Sequence, residues 1–234
     1  KCEFFGVKSA KKIKKEYGSA KVVIARNVLP HVASLHDFVK GMSICLDDKG
    51  LLVLEVHYAK KIYEELHYDS IYHEHLCYFT IKSLEKLLNQ YNFFIKDLNT
   101  SPISGGSLVI YATKGKAKES SIVQAYRLAE EKIKVNTLKS WQDFANRITI
   151  HREKLLKILN ENKSKIIVGY GASARSSTML NFCNIDTKLI PVIADGNTLK
   201  QGLHTAGTHI IIDSPDNVMK KNTDLVVILA WNFG

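Results

Sequence analysis

Residues Phe93 to Thr113 read FFIKDLNTSPISGGSLVIYAT, and this stretch decides the fold. Two runs rich in aromatic and aliphatic residues, Phe93–Leu98 and Leu108–Thr113, flank NTSPISGGS, whose proline and paired glycines mark a turn. The turn is too short for a helix, so the two runs form a hairpin. Upstream, KVVIA (Lys21–Ala25) and LLVLEV (Leu51–Val56) are continuous apolar runs suited to strands buried on both faces. Helical stretches separate them. The order strand, helix, strand, helix, helix, strand, strand predicts a parallel α/β sheet whose edge is closed by an antiparallel pair.

The helices follow from spacing. Ser9–Tyr17 is a short basic helix stopped by Gly18. Ser34 is placed to cap a helix carrying Leu35, Phe38, Val39 and Met42 on one stripe. DDKG (Asp47–Gly50) reads as the turn into the second strand. AKKIYEEL (Ala59–Leu66) is helical, and the helix from Thr80 sets Ile81, Leu84, Leu87 and Leu88 on one face.

From Lys116 to Asn162 the chain is helical, charged and weakly amphipathic, with Trp141 and Phe144 as packing anchors. The expectation is a two-helix, largely solvated connector. A second α/β unit then begins. KIIVGYGASARSSTMLNFC (Lys165–Cys183) is strand, glycine turn and helix, and KLIPVIAD and DLVVILAW are further strands. Three parts are expected: 1–115, a connector over 116–162, and a smaller Rossmann-like domain over 163–234.

The chain has 234 residues, is 45% hydrophobic and 24% charged, and carries a formal charge of +10. The excess is mostly lysine spread along the sequence. No arginine cluster, aromatic RNA-binding strand or helix-turn-helix pattern accompanies it, so nucleic acid is not the expected partner. The charge suits steering of an anionic small substrate. No apolar run spans a membrane and no signal peptide is read, and the four dispersed cysteines form no CxxC, which together point to a reducing cytoplasmic setting. The chain starts without methionine and stops just after a buried strand, so both ends are expected to be cut and the piece inactive alone.

Two motifs carry chemistry. In GYGASARS (Gly169–Ser176) a glycine turn between strand and helix offers N–H groups to a phosphate, and Arg175 would add a charge. Asp195, at the end of the next strand, leaves an NAD-type site open, and the alternative is a tight βα turn with no ligand. In IYHEH (Ile71–His75) three readings stand. His73 and His75 on one strand face, with His57 or Glu74, would suggest a metal; polar aromatics could simply line a domain junction; or His75 is an acid–base group. In the last reading a carboxylate fixes the imidazole and a tyrosine hydroxyl stabilises an enolate oxygen.

In order along the chain, ARNVLPHVASLHDFVKG, LLVLEVHY, YDSIYHEHLCYFTIKSLEKLL, PISGGSLVIYA, VGYGASARSSTMLNF, KQGLHTAGTHI and LVVILAWNF resemble the sugar C-methyltransferases, which use S-adenosylmethionine on keto-deoxysugar nucleotides. The resemblance covers nearly the whole chain. It implies the second half of a class I methyltransferase sheet, ending in an antiparallel hairpin, followed by the Rossmann-like domain. The main cofactor loop and a zinc-binding piece would lie upstream.

Position by position, the resemblance implies His75 as the base that removes the proton alpha to the ketone, with Glu74 and Tyr72 orienting it or stabilising the enolate. Asn27 and His31 would lie by the S-adenosylmethionine. Ser104, Gly105, Gly106 and Ser107 would line the sugar site. Tyr170, Gly171, Ala172, Lys200, Gln201 and Gly202, with Thr208 and His209, would shape the nucleotide-sugar cleft. Ser104 stands where relatives usually have histidine, Arg175 where they have lysine, and Ala206 where they have proline. After His209 they favour proline, where this chain reads IIID. No metal is assigned to these residues. The rival expectations are an NAD-type sugar-nucleotide oxidoreductase or epimerase, and a non-enzymatic binding module for nucleotide-sugar or nucleic acid.

Overall fold

A computed structural model describes residues 3–116, 118–220 and 222–233, the last without its side chain. The chain divides into two compact units, one comprising 1–64 and 73–141, the other 65–72 and 142–234. The segment 65–72 therefore leaves the first unit for the second just before the IYHEH histidines.

The first unit is built on strands β1 (Ala20–Arg26), β2 (Leu46–His57), β3 (Phe93–Ser101) and β4 (Ser107–Lys114). Their order is β1-β2-β4-β3. β1 and β2 are parallel, and β4 is antiparallel to both β2 and β3. The expected hairpin is present, and its second strand, not its first, joins the parallel pair. This tucks β4 inside the sheet and leaves β3 at the edge.

Helices α1 (Val7–Tyr17), α2 (Leu35–Cys45), α3 (Ala59–Glu65) and α4 (Ile81–Asn89) follow the expected stripes. Phe38, Val39 and Met42 of α2 and Ile81, Leu84 and Leu88 of α4 join Leu52, Leu54, Val56, Leu108 and Ile110 in one core. Asp47–Gly50 is not a separate turn. It lies within β2, and a register shift between Ala20 and Val22 absorbs the irregularity.

The helical stretch is α5 (Ser121–Ile133) and α6 (Leu138–Glu161). α5 is packed rather than solvated, since Val123 is fully buried in the first unit's core. Glu130 near its end is also buried, and its carboxylate accepts from the Tyr58 hydroxyl at 3.0 Å and from the N–H of Ile81 at 2.6 Å. It thereby ties the start of α4 to the residue after β2. Burial raises the Glu130 carboxyl above its usual range, against these hydrogen bonds.

The second unit has four parallel strands in the order β7-β6-β5-β8: β5 (Ile167–Tyr170), β6 (Val192–Ala194), β7 (Ile211–Asp213) and β8 (Leu225–Ile228). Helices α7 (Ala174–Cys183) and α8 (Pro215–Met219) accompany them. Ile167, Leu180, Ile185, Ile190, Ile193 and Ile212 form its core with Leu159 of α6. β7 was not anticipated as a strand. Its IID is a half-buried parallel strand at the sheet edge.

Candidate functional site

In an open α/β sheet, ligands collect at the carboxyl ends of parallel strands. At that end of β2 four loops of the first unit meet. His57, its last residue, is 5% exposed and is the register partner of Ser107 at the start of β4. Tyr58 follows. Its N–H donates to the Gly106 carbonyl at 3.3 Å, and it bridges in parallel to Phe79 at the end of the IYHEHLCYF loop. One strand end therefore fixes both the glycine-pair turn and the histidine loop.

That loop is not a strand. Residues 73 and 74 turn and His75 is in no strand, so His73 and His75 do not share a strand face as the metal reading required. His73 and Glu74 are exposed, and His75 is half-buried. The His75 ring is near two other imidazoles, 5.0 Å from His31 and 6.1 Å from His57, with Tyr78 edge-on at 6.2 Å. His31 sits in a short 3-10 turn after β1, and its Nδ1 is 2.8 Å from the Glu74 carbonyl oxygen. The N–H of Leu76 donates to the Pro30 carbonyl at 2.8 Å, so the β1 loop and the histidine loop are stitched together. A cleft of about 450 Å³ is lined by His31, His73, Glu74 and Leu76. Among the described residues no hydrogen bond of the Glu74 carboxylate is found, and Glu74 is one of the residues lining this cleft. Tyr72 belongs by its contacts to the second unit.

Asn27 closes β1 with a positive φ of 50°, which asparagine tolerates better than most residues. Its N–H donates to the Glu55 carbonyl at 2.9 Å. Its carboxamide has no partner among the described residues. Beside it, Arg26 Nε is 2.6 Å from the buried Glu55 carboxylate, a pair the motifs did not announce.

In the hairpin turn Ser104 has φ 59°, Gly105 80° and Gly106 125°. The last value explains the glycine, while Ser104 takes a left-handed conformation at a cost. Ser107 is buried, and its Oγ donates to the Ile103 carbonyl at 3.0 Å.

The second unit treats its glycine turn differently from expectation. The N–H of Ala172 donates to Asp195 Oδ2 at 2.7 Å. Lys200 Nζ donates to the Ala172 carbonyl at 2.6 Å and lies 3.3 Å from the same carboxylate. Ser173 and Ser176 form a capping box, so the first turn of α7 is also satisfied internally. Burial raises the Asp195 carboxyl, but the N–H groups of Asn197 and Ala172 and the Lys200 charge outweigh it and hold the group below its usual value. One N–H of the glycine turn is thus already bonded to a carboxylate of the same unit. The glycines serve packing: a Cβ on Gly171 would lie 2.3 Å from that of Ala230, and one on Gly169 2.7 Å from Leu229 Cδ1.

Arg175 is not offered to a ligand either. It is buried, and its Nε and Nη2 donate to Asp69 at 3.1 and 3.0 Å. Trp231 Nε1 donates to the same carboxylate at 2.9 Å, and the guanidinium lies 4.8 Å from the indole ring centre. A cavity of about 270 Å³ lies beside them, lined in part by His67, Tyr68, His151 and Trp231. Gly202 and His209 shape the loop before β7: Gly202 N–H donates to the Ile212 carbonyl at 2.8 Å, His209 has φ 54°, and the Thr208 hydroxyl pairs with Thr205 at 2.7 Å. Tyr170 ends β5 and is 41% exposed. Among the described residues no group of three or more His, Cys, Asp or Glu is placed to hold a metal ion, and no helix is long and apolar enough to cross a membrane.

Comparison with known proteins adds to this geometry. Residues 102–234 match a family described as the C-methyltransferase C-terminal domain, and residues 2–97 match a methyltransferase domain. The chain is 29% identical over 233 residues to the C-methyltransferase NovU of Streptomyces niveus, covering 98% of this chain and 56% of that protein. It thus spans about half the length of the curated relative it matches. A solved structure, that of M1.HpyAVI, aligns with 47% of this chain and 51% of its own at 14% identity and a TM-score of 0.30, too slight a likeness to carry an argument.

Proposed function

The chain belongs to the C-methyltransferase family, and from that premise we propose that it forms part of an S-adenosylmethionine-dependent enzyme that methylates the carbon alpha to the ketone of a keto-deoxysugar nucleotide. The observation that supports this best is the His75 imidazole, in ring contact with His31 and His57 at the carboxyl end of β2 and half open to solvent. S-adenosylmethionine, when bound, supplies an electrophilic methyl group. The residues at the end of β1 suit it: the unengaged Asn27 carboxamide, and His31, whose Nε2 is free of the Glu74 contact.

His75 removes the α-proton of the keto sugar onto its imidazole, and the electron pair passes to the carbonyl oxygen as an enolate. A histidine base of this kind contributes about 10²–10⁴ in rate. Tyr72 and Glu74 are assigned to orienting the base or stabilising the enolate. The turn from Ser104 to Ser107 meets the sugar. Tyr170, Gly171, Ala172, Lys200, Gly202, Thr208 and His209 are assigned to the nucleotide side. Zinc is assigned only to a region preceding this chain, and the enzyme works in the cytoplasm.

Against the NAD-type alternative, the Ala172 N–H of the glycine turn is already bonded to Asp195. The test is to incubate the full-length gene product with S-adenosylmethionine and keto-deoxysugar nucleotides and follow S-adenosylhomocysteine. Methyl transfer to carbon supports the reading. Transfer to oxygen or nitrogen alone, or nicotinamide reduction, overturns it.

A further inference from the structure

His57 is a histidine that no role yet explains. It is 5% exposed and ends β2, an inner strand of the sheet, where it is the register partner of Ser107 of β4. Its ring meets the His75 ring at 6.1 Å with an interplanar angle of 68°, an edge-to-face contact. His31 also meets His75, at 5.0 Å and 52°. His75 itself lies in a loop with no strand or helix to fix it. Of these two imidazoles, His57 stands on a hydrogen-bonded strand and His31 in a short 3-10 turn. The next residue, Tyr58, anchors the far end of the loop through Phe79.

We propose that His57 is a positioning residue: its ring is the rigid wall that sets the plane of the His75 imidazole. A side chain in a loop reaches catalytic precision only when its rotamer is locked by packing, and small misplacements cost large factors in rate. The inference rests on the assignment of His75 as the base. It also gives the β2 end a single task, since the same strand end sets the histidine loop and the glycine-pair turn.

The test uses three variants of the full-length gene product in the methyl-transfer assay. His57→Leu fills the space without a planar ring, and His57→Phe restores an edge-to-face partner. With His57→Leu, kcat is expected to fall roughly 10- to 100-fold while KM stays close to wild type. With His57→Phe most of the wild-type kcat should return. Circular dichroism and the melting temperature identify folded variants, and His57→Met takes the place of His57→Leu if the latter does not fold. A His57→Leu enzyme with wild-type kcat overturns the inference. So does a His57→Phe enzyme as slow as His57→Leu, because ring contact is then not what matters. His75→Ala, run beside them, separates the two levels: if it still transfers methyl, the base assignment itself has failed.

Discussion

Arg175 and Asp69 are joined by two parallel hydrogen bonds, at 3.1 and 3.0 Å, although 106 residues separate them. Both side chains are more than nine-tenths buried. Removing one member of such a pair strands a charge out of water. Asp69→Ala should therefore destabilise the second unit by about 3–5 kcal/mol, and Arg175→Met by a similar amount. Denaturant unfolding followed by Trp231, whose indole N–H bonds the same carboxylate, reads the loss directly. Variants within about 0.5 kcal/mol of wild type would show the pair to be incidental.

Gly171 is required by its neighbour and by its backbone. Its φ is 92°, and a Cβ there would meet the Cβ of Ala230 at 2.3 Å. Gly171→Ala should cost about 1–3 kcal/mol from overpacking and strain. Ala230→Gly in the same protein should recover the overpacking part but not the strain. Thermal melts of the two singles and the double form a cycle, and strict additivity would contradict the contact.

The pH dependence of the second unit has a defined sign at His151. Burial lowers its pKa, aided by Lys154, and its Nδ1 lies 3.2 Å from the Tyr68 hydroxyl. The unfolded chain therefore takes up a proton at a higher pH than the folded one. Stability contributed by this group is present above the unfolded value, about 6.5, and is lost as pH falls through it toward the folded value. The urea midpoint should drop between about pH 7 and 5, and His151→Gln should flatten that slope. An unchanged slope would place the effect elsewhere.

The alternation of strands and helices was legible because each strand is a run of β-branched or aromatic residues and each helix has a stripe. Lys21–Ala25 lies inside β1, and Phe93–Leu98 and Leu108–Thr113 are the hairpin. The missed element, β7, is only three residues of IID, too short for periodicity to reveal, and α8 is five residues long. The glycine turn at Gly169–Ser176 was legible as a turn, but not its content, because the acid that fills it lies 23 residues on and the lysine 28. His57 and Asp69 lie inside quoted motifs, LLVLEVHY and YDSIYHEHLCYFTIKSLEKLL, but neither motif announced a packing role for them. Their importance lies in long-range packing that local sequence does not encode. For IYHEH the residue types offered three readings, metal, domain-junction aromatics and acid–base chemistry, and the fold adds that they sit in a loop at the sheet's carboxyl edge.

The most direct measurement of the central claim is the fate of the substrate α-hydrogen. The full-length gene product and its His75→Ala variant would be incubated in D₂O with the keto-deoxysugar nucleotide and S-adenosylmethionine, and methyl transfer and deuterium incorporation followed together. With His75 as the base, the variant should lose both by about 10²-fold or more while S-adenosylmethionine still binds. Methyl transfer at the wild-type rate in the variant would contradict the account.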